Sequence, residues 1–171
     1  PVVIEDDYFT AVDDLNDGSE DAGAAHIGET GFAAGLFYSY ICLNQELLEE
    51  NLGGDKALAQ RAFRALAEAA VKVSPKGKQN SFGSRAYASH ILAEKGDQQP
   101  RSLSVAFLKP ITGSDYGADA VTALTTQLDN MDAVYGKCAD ERFYVNTLNG
   151  KGGVYPAQDG EQDKAAEKGG K

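Results

Sequence analysis

The chain has 171 residues, of which 26 are aspartate or glutamate and 16 lysine or arginine, for a formal net charge of −10. That length suits one domain able to bury a real core, and two cysteines exclude a disulfide scaffold. No apolar stretch is long enough to cross a bilayer and no signal-peptide pattern is present, so a cytoplasmic protein with no membrane partner is expected. Pro1-Val-Val-Ile4 opens in mid-strand without an initiating methionine, which reads as a segment of a longer protein. Charge is unevenly spread. Residues 1–55 carry 13 acids and no lysine or arginine, residues 56–109 carry 10 basic residues against 3 acids, and residues 110–171 are acidic again. A ligand within a Debye length feels the local charge, so the basic block keeps a polyanionic partner possible despite the net charge. Acidic and basic faces on one chain equally suit copies that stack on one another.

Residues 8 to 40 come first in the chain order. Tyr8–Leu15 and Gly35–Tyr40 are apolar and aromatic, while the stretch Gly23–Gly31 is small, acidic and glycine-dotted. Two strand-like legs joined by a long loop, a projecting arm, are one reading; an ordinary acidic surface loop is the other. Residues 36–43, Leu-Phe-Tyr-Ser-Tyr-Ile-Cys-Leu, read as a buried strand with Cys42 as a small buried hydrophobe. Asn44 caps a short helical turn over 45–52 that Gly53-Gly54 stops. Asp55 caps a longer helix whose Leu58, Ala62, Leu66, Ala69 and Val73 share a face and which Pro75 ends. Residues 87–92 and 102–108 read as strands, broken by Gly96-Asp97. The strongest helix spans 117–135, with Val121, Leu124, Leu128, Met131 and Tyr135 as its stripe. Residues 142–147 suggest a last strand, and the polar, glycine-rich 148–171 a disordered tail. From residue 36 the order is strand, helix, strand, strand, helix, strand, an α+β, ferredoxin-like arrangement that RNA-recognition modules also use. That arrangement hosts many activities, and the Lys/Arg-Gly-aromatic strand of RNA-recognition modules is absent.

Enzyme and metal signatures fail in detail. Lys78 follows Gly77, but a P-loop needs a glycine where Lys72 stands and Ser or Thr where Gln79 stands. A calcium loop starting at Asp13 would have Leu15 at its third position and Ala24 at its twelfth. Two scattered histidines and two cysteines give no zinc spacing, and His90, beside Ile91 and Leu92, reads as a strand residue. No cofactor and no catalytic residue is expected. The segment Ser74–Arg85 differs in character, because it gathers Lys76, Lys78 and Arg85 with Gln79, Asn80, serines, glycines and Phe82. Cations neutralise phosphates, amides and hydroxyls donate to phosphate and ribose oxygens, and an aromatic ring stacks on a base. The alternative is a helix C-terminus whose lysines favour its dipole, followed by a solvated loop.

Tyr8-Phe-Thr-Ala-Val-Asp-Asp-Leu15, Ala25-His-Ile-Gly28, Gly35-Leu-Phe-Tyr-Ser-Tyr40, Glu49-Glu-Asn-Leu-Gly-Gly54 and Gly77-Lys-Gln-Asn-Ser-Phe82 occur here in one order. In that combination, over residues 2–112, the chain resembles the CasC family, the repeated backbone subunit of the type I-E CRISPR Cascade surveillance complex. The resemblance implies a thumb arm over residues 1–36, a ferredoxin-like or modified RNA-recognition palm over 37–147, and the tail 148–171. It further implies a non-catalytic scaffold for antiviral defence. Copies line up along CRISPR guide RNA, grip its backbone and displace bases at intervals so that the guide can pair with target DNA. Further copies of the chain and other Cascade subunits are the implied partners. Phe9, Thr10 and Ile27 match positions that wedge against the displaced base, and Lys78 and Gln79 match the basic loop facing the RNA; Lys76 and Arg85 join them from the loop's own chemistry. The loop between Asp14 and His26 departs from the family in being longer and more acidic, and the tail has no family counterpart. An acidic thumb suits steric wedging rather than phosphate binding, and its acids, Asp13 and Asp14 among them, suit the basic block of the next copy. A stand-alone single-stranded RNA-binding module is the alternative, and a metal-dependent nuclease the more remote one.

Overall fold

The computed structural model describes residues 3–11 and 26–155. The expected arm loop with Asp13 and Asp14, and 156–171 of the expected tail, lie outside the described residues. The chain divides into two compact units, Pro1–Ser39 and Tyr40–Lys171.

The smaller unit is an antiparallel hairpin of β1 (Val3–Ala11) and β2 (His26–Ala34), paired from Val3↔Ala34 to Ala11↔His26. The first leg read from the sequence overlaps β1 at Tyr8–Ala11, whereas the second, Gly35–Tyr40, follows β2 and forms no strand, and β2 itself covers much of the stretch read as loop. Directly opposed residues share a face, and successive residues alternate. One face carries Asp7, Phe9, Gly28, Thr30 and Phe32, and all of these but Phe9 are half-buried. The other face leaves Ile4, Tyr8 and Ile27 about two-thirds exposed or more.

In the larger unit α1 (Gln45–Asn51) and α2 (Lys56–Lys72) start where their caps predict. The Asn44 and Asp55 carboxamide and carboxylate oxygens accept from the backbone N–H groups of Leu47 and Leu58, each at 2.9 Å. Gly53 and Gly54 stop α1 because both adopt left-handed φ values, +68° and +80°. The helix α3 (Tyr116–Tyr135) lies over a sheet of β3 (His90–Lys95), β4 (Glu141–Asn146) and β5 (Lys151–Val154), antiparallel in the order β3-β4-β5. Leu124 and Leu128 on α3 pack with Leu103 to form the core, and Leu92, Phe107, Met131 and Tyr155 close around it.

Three expectations for single segments fail. Residues 36–43 form no strand: Phe37 is 79 % exposed, Ile41 is 56 % exposed, and Cys42 is exposed rather than buried. Strand propensity describes fit to a pleated surface next to a partner, and no partner strand lies there among the described residues. Residues 102–108 hold a short 3-10 turn over Ser104–Phe107 instead of a strand. The Ser102 hydroxyl accepts from the Ser104 backbone N–H at 3.2 Å, the local side-chain bond that competes with strand pairing. Within the segment expected to be disordered, Lys151–Val154 pairs with β4, and Tyr155 donates its backbone N–H to the Arg142 carbonyl at 3.0 Å. The strand expected at 87–92 sits three residues later, because the Ala88 N–H is held by the Val71 carbonyl at the end of α2. The α+β class itself stands.

A charge network joins α3 to the sheet. Arg142, its side chain 4 % exposed, donates to Glu94 at 2.6 Å and through both terminal nitrogens to Asp132, which also receives Arg101. Hydrogen bonding to Arg142 holds the Asp132 carboxyl below its ordinary range against the opposing pull of burial, with Arg101 adding to it. Tyr155 donates its hydroxyl to Asp129 at 2.9 Å, and burial followed by that bond pushes the phenol up to about 12.

Candidate nucleic-acid interface

The basic loop leaves α2 and returns to it. Ser74 donates its hydroxyl to the Ala86 carbonyl at 2.9 Å, and Ala88 donates its N–H to Val71, also at 2.9 Å. These two bonds staple the ends of the loop. Within it, Gln79 donates its amide to the Pro75 carbonyl at 2.6 Å, while the Lys78 carbonyl accepts from Ser81 and Phe82 at 3.2 and 2.9 Å. Lys78 itself has φ +46°, the one described non-glycine residue on the left-handed side. A side-chain-bearing residue held there is strained, and such strain clusters at functional positions.

The stapled loop surrounds an open concavity of about 410 Å³. Lys72, Lys76 and Arg85 supply three cations at its wall, Ser84 supplies a hydroxyl, Gln79 its second amide hydrogen, and Tyr87 a ring. The concavity thus joins positive charge, hydrogen-bond donors and an aromatic face within one rim. That combination suits a phosphodiester and the nucleoside attached to it, without selecting a base. Lys72 is already paired with Glu68 at 2.7 Å, an exposed i,i+4 bridge whose hydrogen bond raises the lysine and lowers the glutamate from their ordinary values.

Of the residues expected at the site, Lys76, Gln79 and Arg85 therefore come together around the concavity, while Lys78 shapes the loop beside it and does not line it. Phe9, Thr10 and Ile27 belong to the hairpin unit and divide between its two faces. Thr10 and Ile27 are direct partners on the exposed face, and Phe9 lies opposite Gly28 on the other. Lys72 and Tyr87 are additions from the structure. Their signal in the sequence was position alone: one is the last residue of a helix and the other follows the loop that returns to it.

His90 is the first residue of β3, and neither of its ring nitrogens has a hydrogen-bond partner among the described residues. Burial pushes its imidazole below the ordinary value. Among the described residues no group of three or more His, Cys, Asp or Glu is placed to hold a metal ion, and no helix is long and apolar enough to cross a membrane.

The profile of the CT1975-like protein family matches residues 1–166. A chain of a solved "CRISPR RNA-guided surveillance complex" is 32 % identical, with a TM-score of 0.63 over 83 % of this chain and 54 % of that one. A chain of a "CRISPR RNA-guided surveillance complex, pre-nicking" is 31 % identical, with a TM-score of 0.64 over 81 % of this chain and 41 % of the other. This chain thus spans about half the length of the solved chains it matches. No curated protein matches it.

Proposed function

The chain belongs to the CT1975-like protein family, as its resemblance to the CasC-type Cascade backbone anticipates, and from that premise we propose that it is a guide-RNA scaffold of a Cascade-type complex. In this reading the hairpin of β1 and β2 is the thumb, the larger unit is palm, and the stapled loop grips the RNA backbone. Copies align on CRISPR guide RNA beside other complex subunits. Each thumb displaces a base, and the segments between stay open to pair with target DNA. The subunit itself cleaves nothing.

The observation that carries the proposal is the concavity at Lys72, Lys76 and Arg85. It stands beside the matched loop Gly77–Phe82 in a chain whose net charge is otherwise strongly negative. An acidic protein that concentrates cations, hydroxyls and a ring at one rim has built a local polyanion site. The thumb contact must be of another kind, since β1 and β2 carry Glu5, Asp6, Asp7 and Glu29 and no lysine or arginine. An apolar side chain that takes the place of a stacking neighbour needs no positive charge.

Lys78→Ala tests the loop assignment. RNA affinity should fall, and the slope of log affinity against log salt should become shallower by about 0.7, the single-strand value for one phosphate contact. A salt titration that leaves the slope unchanged removes Lys78 from the RNA contacts.

A further inference from the structure

Gly28 stands in the middle of a strand, where glycine ordinarily weakens pairing. Its backbone does not require glycine: the described glycines with left-handed φ are Gly53, Gly54, Gly136 and Gly150. What requires it is the residue across the ladder. A Cβ built on Gly28 would lie 2.3 Å from Cζ of Phe9 and 2.8 and 2.9 Å from its two Cε atoms. The far edge of the Phe9 ring therefore fills the volume that any side chain at 28 would occupy. Phe9 remains 49 % exposed in this seat.

We propose that Gly28 is a positioning residue for the wedge: its missing side chain seats the Phe9 ring across the hairpin and so fixes where the ring's open edge meets a nucleobase. This inference rests on the reading of the hairpin as a guide-RNA thumb. It goes beyond that reading by naming the residue that sets the wedge's position and the reason for it. The clash at position 28 involves only the end of a rotatable side chain, so alanine there moves the ring and spares the ladder. Alanine also suits an extended backbone better than glycine does. The substitution should thus leave the hairpin intact while misplacing its working group.

The test assembles the full-length protein on guide RNAs carrying 2-aminopurine at single positions, whose emission rises where a base loses its stacking neighbours. The wild type should show enhanced emission recurring along the guide. Gly28→Ala should lose most of that enhancement with RNA affinity and thermal stability unchanged. In a Phe9→Ala background it should have no further effect, since the two residues act as one unit. Gly31→Ala is the matched control, because a Cβ there meets only the Asp6 Oδ1 atom at 3.4 Å. Wild-type emission retained by Gly28→Ala overturns the inference. So does an equal loss in Gly31→Ala, or a further loss when Gly28→Ala is added to Phe9→Ala. A wild-type assembly with no recurrent enhancement overturns the thumb reading itself, a result distinct from all of these.

Discussion

Asp132→Ala should destabilise the larger unit by about 3–5 kcal/mol, the range for removing one partner from a buried ion pair. The carboxylate receives Arg142 through two nitrogens and Arg101 through one, with the three side chains only 4 %, 15 % and 16 % exposed for Arg142, Arg101 and Asp132. Alanine leaves Arg101 with no carboxylate and Arg142 with Glu94 alone. The row Leu124, Leu128, Asp132 runs at i+4 spacing along α3, so the lost charge lies directly beyond the two buried core leucines. Thermal denaturation should show a midpoint lower by on the order of 10 °C. Replacing Asp132, Arg101 and Arg142 together by apolar residues of similar size should recover much of the loss, because neither arginine is then left buried without its carboxylate. The same network sets the acid limit. The folded Asp132 carboxyl is held below its ordinary value near 3.8, so its contribution is complete above that value and disappears as pH falls through the lower folded value. Asp132→Asn should flatten the stability curve in that acid window and lower it at neutral and alkaline pH without changing its slope there.

Lys76→Ala with Arg85→Ala should produce the largest loss of RNA affinity. The two cations stand at the rim of the same concavity, on opposite ends of the stapled loop. Each phosphate neutralised on a single strand contributes about 0.7 to the salt slope, so the double variant should be shallower by roughly 1.4. Affinity at moderate salt should fall on the order of tenfold or more. Neither side chain makes a bond that closes the loop, which is held by Ser74, Ala88 and Gln79. Thermal stability should therefore stay near that of the wild type. Lys95→Ala, which removes a cation paired with Glu141 on the sheet, should leave the slope unchanged. A uniform loss across all three sites would assign the effect to net charge and not to the concavity.

Local chemistry made much of this legible in the sequence. Asn44, Asp55 and Gly53-Gly54 mark helix ends whose reasons lie within a few residues, and all three act as read. The stripe of α3 is buried at Leu124 and Leu128, though Tyr135 at its end is 80 % exposed. Partners distant in sequence were not legible. Alternation in β4 would bury Phe143 and Val145, yet both are 47 % exposed while Arg142 and Asn146 are buried. The register follows Asp132 and Glu94, ten and forty-eight residues from Arg142. Residues 36–43 failed as a strand for the converse reason: their propensity was read correctly, but a strand also needs a neighbour. In the hairpin, Phe9, Thr10 and Ile27 read as one working set, and strand alternation divides them between two faces. Gly28 carried no special signal, being one of several glycines in a stretch read as loop, because its role lies in the ring across the ladder.

The central claim, a scaffold that assembles along RNA, is tested most directly by titrating the full-length protein onto intact single-stranded RNAs of increasing length. The account predicts that several copies load on the longer strands with cooperativity that grows with length, leaving the RNA uncut in magnesium or manganese. One copy per strand with an affinity independent of length would contradict it in favour of a stand-alone binding module, and cleavage products would contradict it in favour of a nuclease.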